Sequence, residues 1–327
     1  MNQYDIPGLS IGVVKGDSLI YTKGYGVQSI KHQKPVTEST MFHTASVSKI
    51  FTALAIMNLV KYGQLALADT LTKVLPTLRY RDKRVQAITI KTLLNHTSGI
   101  PDVGAYHWSG NHQSDRRLQE YVMGKKIKLK FAPSYGYKYS NLGYNVLGYV
   151  IERVAGLSFE EYVKTSVLLP GGMKESDFRY FTIPDSLKAL PHSKHGITKN
   201  IYPRNTYPYT REHAPSSTLN ASAKELSTWM ISFMEALEAE QAPYLLHTML
   251  EQSTNMSKFI GLGFQLYSIE GKKGVGHFGG DKGFRSYLLM LPDEKIGLVL
   301  LANCDYNEDF RQEILWQIIK VMQTYGE

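Results

Sequence analysis

The sequence predicts an α/β fold of the α+β kind, with one antiparallel sheet built from both chain ends, flanked by helices, and a mostly helical region inserted between them. Three observations predict it. Two apolar, β-prone runs joined by a turn lie near the N-terminus; two more lie near the C-terminus; and the middle of the chain carries helix-start signals instead.

Taken in order, residues 9–14 and 19–22 are apolar runs separated by Lys15-Gly16-Asp17-Ser18, the composition of a hairpin turn. Residues 50–60 are apolar nearly all round and end at Gly63, which describes a buried helix. Ser158 with Glu161, and Ser222 with Glu225, have the spacing of capping boxes at the starts of two helices. Residues 202–217 are rich in Pro and Tyr, include Asn205, and read as a long loop. Residues 262–268 read as a strand, and residues 284–291 and 296–302 as two more, joined by the turn Pro292-Asp293-Glu294-Lys295. Phe310, Ile314, Leu315, Ile318, Ile319 and Met322 then share one face of a closing helix. The expected division is a discontinuous sheet domain, 1–75 with 255–327, a helical insertion, 76–254, and an active site between them. No internal repeat is visible.

Composition sets limits on function. The 327 residues are 43% hydrophobic and 20% charged, an ordinary globular balance that can bury a sizeable core. The apolar run at 50–60 is interrupted by Thr52 and Asn58, and no stretch approaches the roughly 18 residues of a membrane span. The net charge of +8 comes from 37 basic against 29 acidic side chains, with a cluster at Lys125, Lys126, Lys128 and Lys130. Ile127, Leu129 and Phe131 alternate with those lysines, so the cluster reads as a half-buried extended segment with its lysines in water rather than as a nucleic-acid site. Residues 1–5 have neither the basic nor the apolar region of a secretory signal; the cell envelope, the periplasm or secretion is expected if a leader has been removed, and the cytoplasm otherwise. Cys304 is the only cysteine, which excludes an internal disulfide and a cysteine-based zinc site. No cofactor or metal is called for, and the expected partner is a small molecule or peptide.

Three short segments carry chemistry. Ser46-Val47-Ser48-Lys49 opens the buried helix, and it is the only Ser-x-x-Lys in the chain. Residues three apart share a helix face, so the hydroxyl and the amine can meet. A serine is a weak nucleophile until a base takes its proton, and a lysine can be that base when burial favours its neutral form. The bland alternative is that Ser46 caps the helix while Lys49 is solvated. Tyr139-Ser140-Asn141, the only Tyr-x-Asn, precedes a helix reaching Gly156; its phenol can relay a proton and its amide can hold a carbonyl, although a loop tyrosine beside a capping asparagine would look the same. His277-Phe278-Gly279-Gly280 places glycines where backbone can approach a ligand, or alternatively forms a turn between strands.

In this order and spacing, the three segments resemble those of the serine β-lactamase and penicillin-binding protein superfamily, in its branch of class C β-lactamases, D-alanyl-D-alanine carboxypeptidases, D-aminopeptidases and esterases. Pro7-Gly8-Leu9-Ser10, the octapeptide from Leu93 to Ile100, Gly172-Met173 and Leu301-Ala302-Asn303 extend the resemblance along nearly the whole chain. It implies a β-lactamase/transpeptidase-like fold and an acyl-enzyme on Ser46. Lys49 and Tyr139 jointly move protons, Asn141 orients the substrate, and the backbone amides of Ser46 and Gly280 form the oxyanion hole. His277-Phe278-Gly279 stands where many β-lactamases have Lys-Thr-Gly. A histidine only partly charged near neutrality then replaces the fixed cation that grips a β-lactam carboxylate, and selectivity for carboxylate-bearing substrates is expected to climb toward pH 6.5 or so.

Other readings are weaker. Gly16-Asp17-Ser18-Leu19 spells another esterase motif, but the Asp-x-x-His that chemistry requires is absent and the tetrapeptide sits in a predicted turn. His192 and His195 have the spacing of helical metal ligands, but Pro191 and Gly196 flank them and predict a loop with solvated or hydrogen-bonded rings. His96 is read as structural, fixing a turn. A penicillin-binding sensor, acylated without turnover, would carry the same motifs as an enzyme.

Overall fold

The computed structural model describes residues 1–78, 80–108, 114, 116–239, 244–306 and 310–324. Its strands are β1 (Gly8–Lys15), β2 (Ser18–Gly26), β3 (Phe42–His43), β4 (His192–Lys194), β5 (Ile201–Pro203), β6 (Asn220–Ala221), β7 (Gln265–Ile269), β8 (Lys272–Asp281), β9 (Phe284–Leu291) and β10 (Ile296–Ala302). Its helices are α1 (Ser48–Lys61), α2 (Leu71–Val74), α3 (Ile90–Leu94), α4 (Arg117–Met123), α5 (Asn141–Ala155), α6 (Phe159–Val163), α7 (Ala214–Ser217), α8 (Ala223–Glu238), α9 (Tyr244–Met249) and α10 (Phe310–Thr324).

The sheet runs β2-β1-β10-β9-β8-β7, and every neighbouring pair is antiparallel. The chain ends meet at its centre, where Leu9 of β1 opposes Ala302 of β10. Both faces are covered. Leu9, Ile11, Val13, Leu298 and Leu300 point to one side and pack with Phe310, Leu315 and Ile319 of α10. Val14, Leu288, Met290, Val299 and Leu301 point to the other, into the larger core that holds α1, α5 and α8. This explains why β1 and β10 read as continuous apolar runs rather than alternating ones.

Most predicted elements are present, with shifted ends. The strand expected at 262–268 is β7, whose ladder begins at Gln265. Ser158 and Ser222 each accept a hydrogen bond from the backbone three residues on, at 3.3 and 3.1 Å. Both capping boxes are only half closed, and in the second the Glu225 carboxylate turns away to the backbone of Glu175 and Ser176. The lysine-rich segment does bury Ile127 and Leu129 between exposed Lys126, Lys128 and Lys130, but it joins no ladder.

Two expectations need correction. Residues 202–217 are not one loop: they start in the β4–β5 hairpin and end in the buried turn of α7. His192 lies in β4 rather than in a loop, with Nδ1 3.0 Å from the Asn303 carbonyl oxygen and Nε2 accepting from the Ile30 backbone N–H at 3.2 Å. Among the described residues, no helix is long and apolar enough to cross a membrane.

Candidate active site

Ser46 sits in a single 3-10 turn, Ala45–Val47, immediately before α1, so the regular helix begins two residues later than the motif suggests. Ala45 has φ of +49°, a left-handed conformation that costs a non-glycine residue of order 1 kcal/mol or more. The turn is held from the sheet. Ser286 of β9 donates to the Thr44 carbonyl oxygen at 2.6 Å, and Gly279 of β8 lies so close that a Cβ there would fall 2.3 Å from the same oxygen. Ser46 is the one partly exposed position between Met41 and Asn58's buried neighbours up to Met57. Its hydroxyl does not cap α1, which has no side-chain cap.

The Ser46 hydroxyl oxygen instead accepts two hydrogen bonds, from Lys49 Nζ at 3.0 Å and from the Tyr139 phenol at 2.9 Å. Lys49 is fully buried. It also donates to Asn141 Oδ1 at 2.7 Å and to the Ser216 carbonyl oxygen at 2.7 Å. Burial lowers its pKa to about 7, against the opposing pull of the Asp102 and Asp281 carboxylates. Near neutral pH the amine is therefore half deprotonated. Burial pushes the Tyr139 phenol far the other way, upward, with its hydrogen bond to Ser46 opposing, so it stays protonated. The solvated Lys49 of the bland alternative is excluded by this burial.

Asn141 is the first residue of α5, and the Ser140 hydroxyl caps that helix by accepting from the Gly143 backbone N–H. Asn141 is itself held by Asp102, which accepts from its backbone N–H at 2.7 Å and from its side-chain Nδ2 at 3.3 Å. His277 lies on β8 with its ring 6.1 Å from that of Tyr139. Sequence reading expected a partly charged imidazole. The structure buries it, and burial, together with the Lys49 charge, lowers its pKa to about 3, although its hydrogen bond to the Phe278 carbonyl oxygen opposes the shift. Burial thus favours the neutral ring near neutral pH.

The strand carrying His277, Gly279 and Gly280 is paired with β9 throughout this stretch, so it is not the turn offered as its alternative. On the other side β7 reaches only to Gly276, opposite Gln265, and no described strand pairs with residues 277–281 there. That edge of β8 borders the Ser46 turn. Asp281, at its end, accepts from Ser217 at 2.7 Å and lies 3.3 Å from His43 Nε2; burial would raise its carboxyl, but these hydrogen bonds outweigh burial and hold it low.

Two contributors escaped sequence reading, Asp102 and the Ser216 carbonyl, and a third, His96, was seen only in part. The last was read as fixing a turn, and it does accept from the Ser140 backbone N–H at 3.1 Å, but its ring also packs 4.4 Å from that of Tyr139. Another serine can be set aside. Gly8-Leu9-Ser10-Ile11-Gly12 has the Gly-x-Ser-x-Gly letters of an α/β-hydrolase elbow, yet it lies inside β1, paired on both edges, with Ser10 fully buried.

The beta-lactamase family model matches residues 1–323. The chain belongs to the beta-lactamase family. Penicillin-binding protein 4* of Bacillus subtilis (strain 168) is 26% identical over 322 residues, covering 92% of this chain and 69% of that protein. Among solved structures, the octameric penicillin-binding protein homologue from Pyrococcus abyssi superposes with a TM-score of 0.80 at 28% identity, covering 93% of this chain and 71% of the other. The class C beta lactamase from Rhodobacter sphaeroides gives 0.78 at 20% identity, covering 98% and 96%. The last of these likenesses is one of fold. It spans 60–69% of the length of the curated relatives it matches.

Proposed function

We propose that this beta-lactamase family member is a serine hydrolase that cleaves a small amide or ester through an acyl-enzyme on Ser46. The observation that carries the reading is the convergence of a buried amine and a buried phenol on one hydroxyl, at 3.0 and 2.9 Å.

In the acylation step the Ser46 oxygen attacks the substrate carbonyl carbon while its proton passes to neutral Lys49. Tyr139 is protonated, so it serves as donor rather than as base. It gives its proton to the leaving nitrogen or oxygen as that bond breaks, and Lys49 returns one to it. In deacylation water attacks the acyl carbonyl carbon while its proton passes to neutral Lys49; the ester bond then breaks as Tyr139 gives its proton to the Ser46 oxygen, and Lys49 reprotonates Tyr139. The backbone N–H groups of Ser46 and Gly280 are assigned to the developing oxyanion, a role supported by the edge of β8 beyond Gly276, with which no described strand pairs. Asn141 is assigned to the substrate carbonyl.

A β-lactam, a D-amino-acid peptide and a simple ester all present such a carbonyl. The neutral His277 favours acyl donors that do not depend on a cation at that position, and so weighs against efficient β-lactamase activity. A panel of nitrocefin, short-chain p-nitrophenyl esters and D-alanyl-D-alanine peptides, read by rate and by intact-protein mass spectrometry, tests the proposal. A transient adduct on Ser46 with turnover is expected. A permanent adduct would make the protein an acylated sensor, and no adduct with any of them would defeat the acyl-enzyme reading.

A further inference from the structure

We propose that Asp102, which belongs to none of the three catalytic motifs, is a positioning residue of the Ser46 centre: it fixes the amide of Asn141 and holds negative charge toward Lys49. The inference rests on the acyl-enzyme reading of Ser46.

Asp102 Oδ1 accepts from the backbone N–H of Asn141 at 2.7 Å and of Val103 at 2.8 Å, which aims Oδ2 at Asn141 Nδ2, 3.3 Å away. A primary amide has one accepting and one donating end. With its nitrogen turned to a carboxylate, Asn141 can present only its oxygen to Lys49, and it does so at 2.7 Å. The carboxylate also faces the N-terminal end of α5, where the helix dipole favours negative charge.

The groups facing Lys49 can be enumerated from each neighbouring element. Among the described residues they are Ser46, Asn141 Oδ1, the Tyr139 and Tyr144 rings at 5.0 and 5.6 Å, the Ser216 carbonyl, the neutral rings of His96 and His277, and the carboxylates of Asp102 and Asp281. Asp281 is committed to Ser217, to His43 and to the Lys282 backbone N–H. Asp102 alone of the two carboxylates also binds a hydrogen-bond partner of Lys49. Burial drives the amine toward neutrality, and Asp102 is the larger of the two charges that oppose it.

Asp102→Asn removes the charge and sets an amide NH2 against that of Asn141, which then turns. Asp102→Glu keeps the charge on a longer arm. The test is the rate at which a fluorophosphonate, an active-serine probe, labels Ser46 between pH 5 and 9, followed by intact-protein mass spectrometry. In Asp102→Asn the midpoint of the rising limb should move to lower pH by about half to one unit, and the plateau should fall roughly tenfold. In Asp102→Glu the midpoint should stay and the plateau fall. A wild-type midpoint in Asp102→Asn overturns the proposal, whether the melting temperature holds or drops, since a merely structural role would move only the latter. Failure of the underlying reading has a different signature: Ser46→Ala would be labelled as fast as wild type.

Discussion

The imidazole of His96 packs against the phenol ring of Tyr139, centroid to centroid 4.4 Å at 33°, while its Nδ1 accepts the backbone N–H of Ser140. One contact acts on the Tyr139 ring and the other on the backbone of the residue that follows it. His96 itself has φ of +61°, a region that Asn tolerates as well as His. His96→Asn should therefore leave the backbone in place but remove the ring support. We expect the Ser46 labelling rate to fall about 10- to 100-fold through loss of alignment, with Tyr139→Phe in the same background adding little. Full additivity of the two substitutions would show that His96 does not act through Tyr139.

The pH dependence of acylation should follow Lys49. The amine must be neutral to take the Ser46 proton, and its pKa is lowered to about 7. Specificity constants for a neutral p-nitrophenyl ester should rise with pH through about 7 and level off above it. Lys49→Arg keeps a charge that cannot be shed near neutrality and should lose at least three orders of magnitude. A limb centred near the ordinary lysine value would instead mean that burial does not set this proton.

His277 makes a prediction about stability. Its folded pKa, about 3, lies below the unfolded value of 6.5, so between those values the unfolded chain binds the additional proton and stability falls as pH falls. At pH 5 the loss relative to pH 7.5 is on the order of 2 kcal/mol from this residue. Urea unfolding of wild type and His277→Gln at both pH values checks it: the variant should lose less on acidification. For the same reason the ratio of activities on carboxylate-bearing and neutral substrates should be flat from pH 5 to 8 in wild type and raised in His277→Lys.

Gly279→Ala places a methyl 2.3 Å from the Thr44 carbonyl oxygen and from the Ser286 hydroxyl. Either the sheet or the Ala45–Val47 turn must move, at a cost of about 1–3 kcal/mol, and Ser46 moves with the turn. We expect a lower melting temperature and at least a tenfold slower labelling rate. Gly196→Ala, where nothing lies within 4 Å, serves as the control and should match wild type in both.

The sequence by itself determined the sheet from both ends, the buried helix behind Ser46, and the three motifs. These rest on short-range physics: a period of two or 3.6, a cap three residues ahead, a serine and a lysine one helical turn apart. β8 escaped because Gly274, Gly276, Gly279 and Gly280 dilute its β signal, and its ladder with β9 decides the matter. The Ser216 carbonyl escaped because α7 is a four-residue turn, too short to leave a periodic trace. Asp102 and the packing of His96 on Tyr139 escaped because each couples residues about forty apart in the chain. Tertiary structure alone decided the proton states. Lys49, Tyr139 and His277 depart from their ordinary pKa values mainly through burial, and burial is a property of everything packed around a group rather than of its neighbours in sequence.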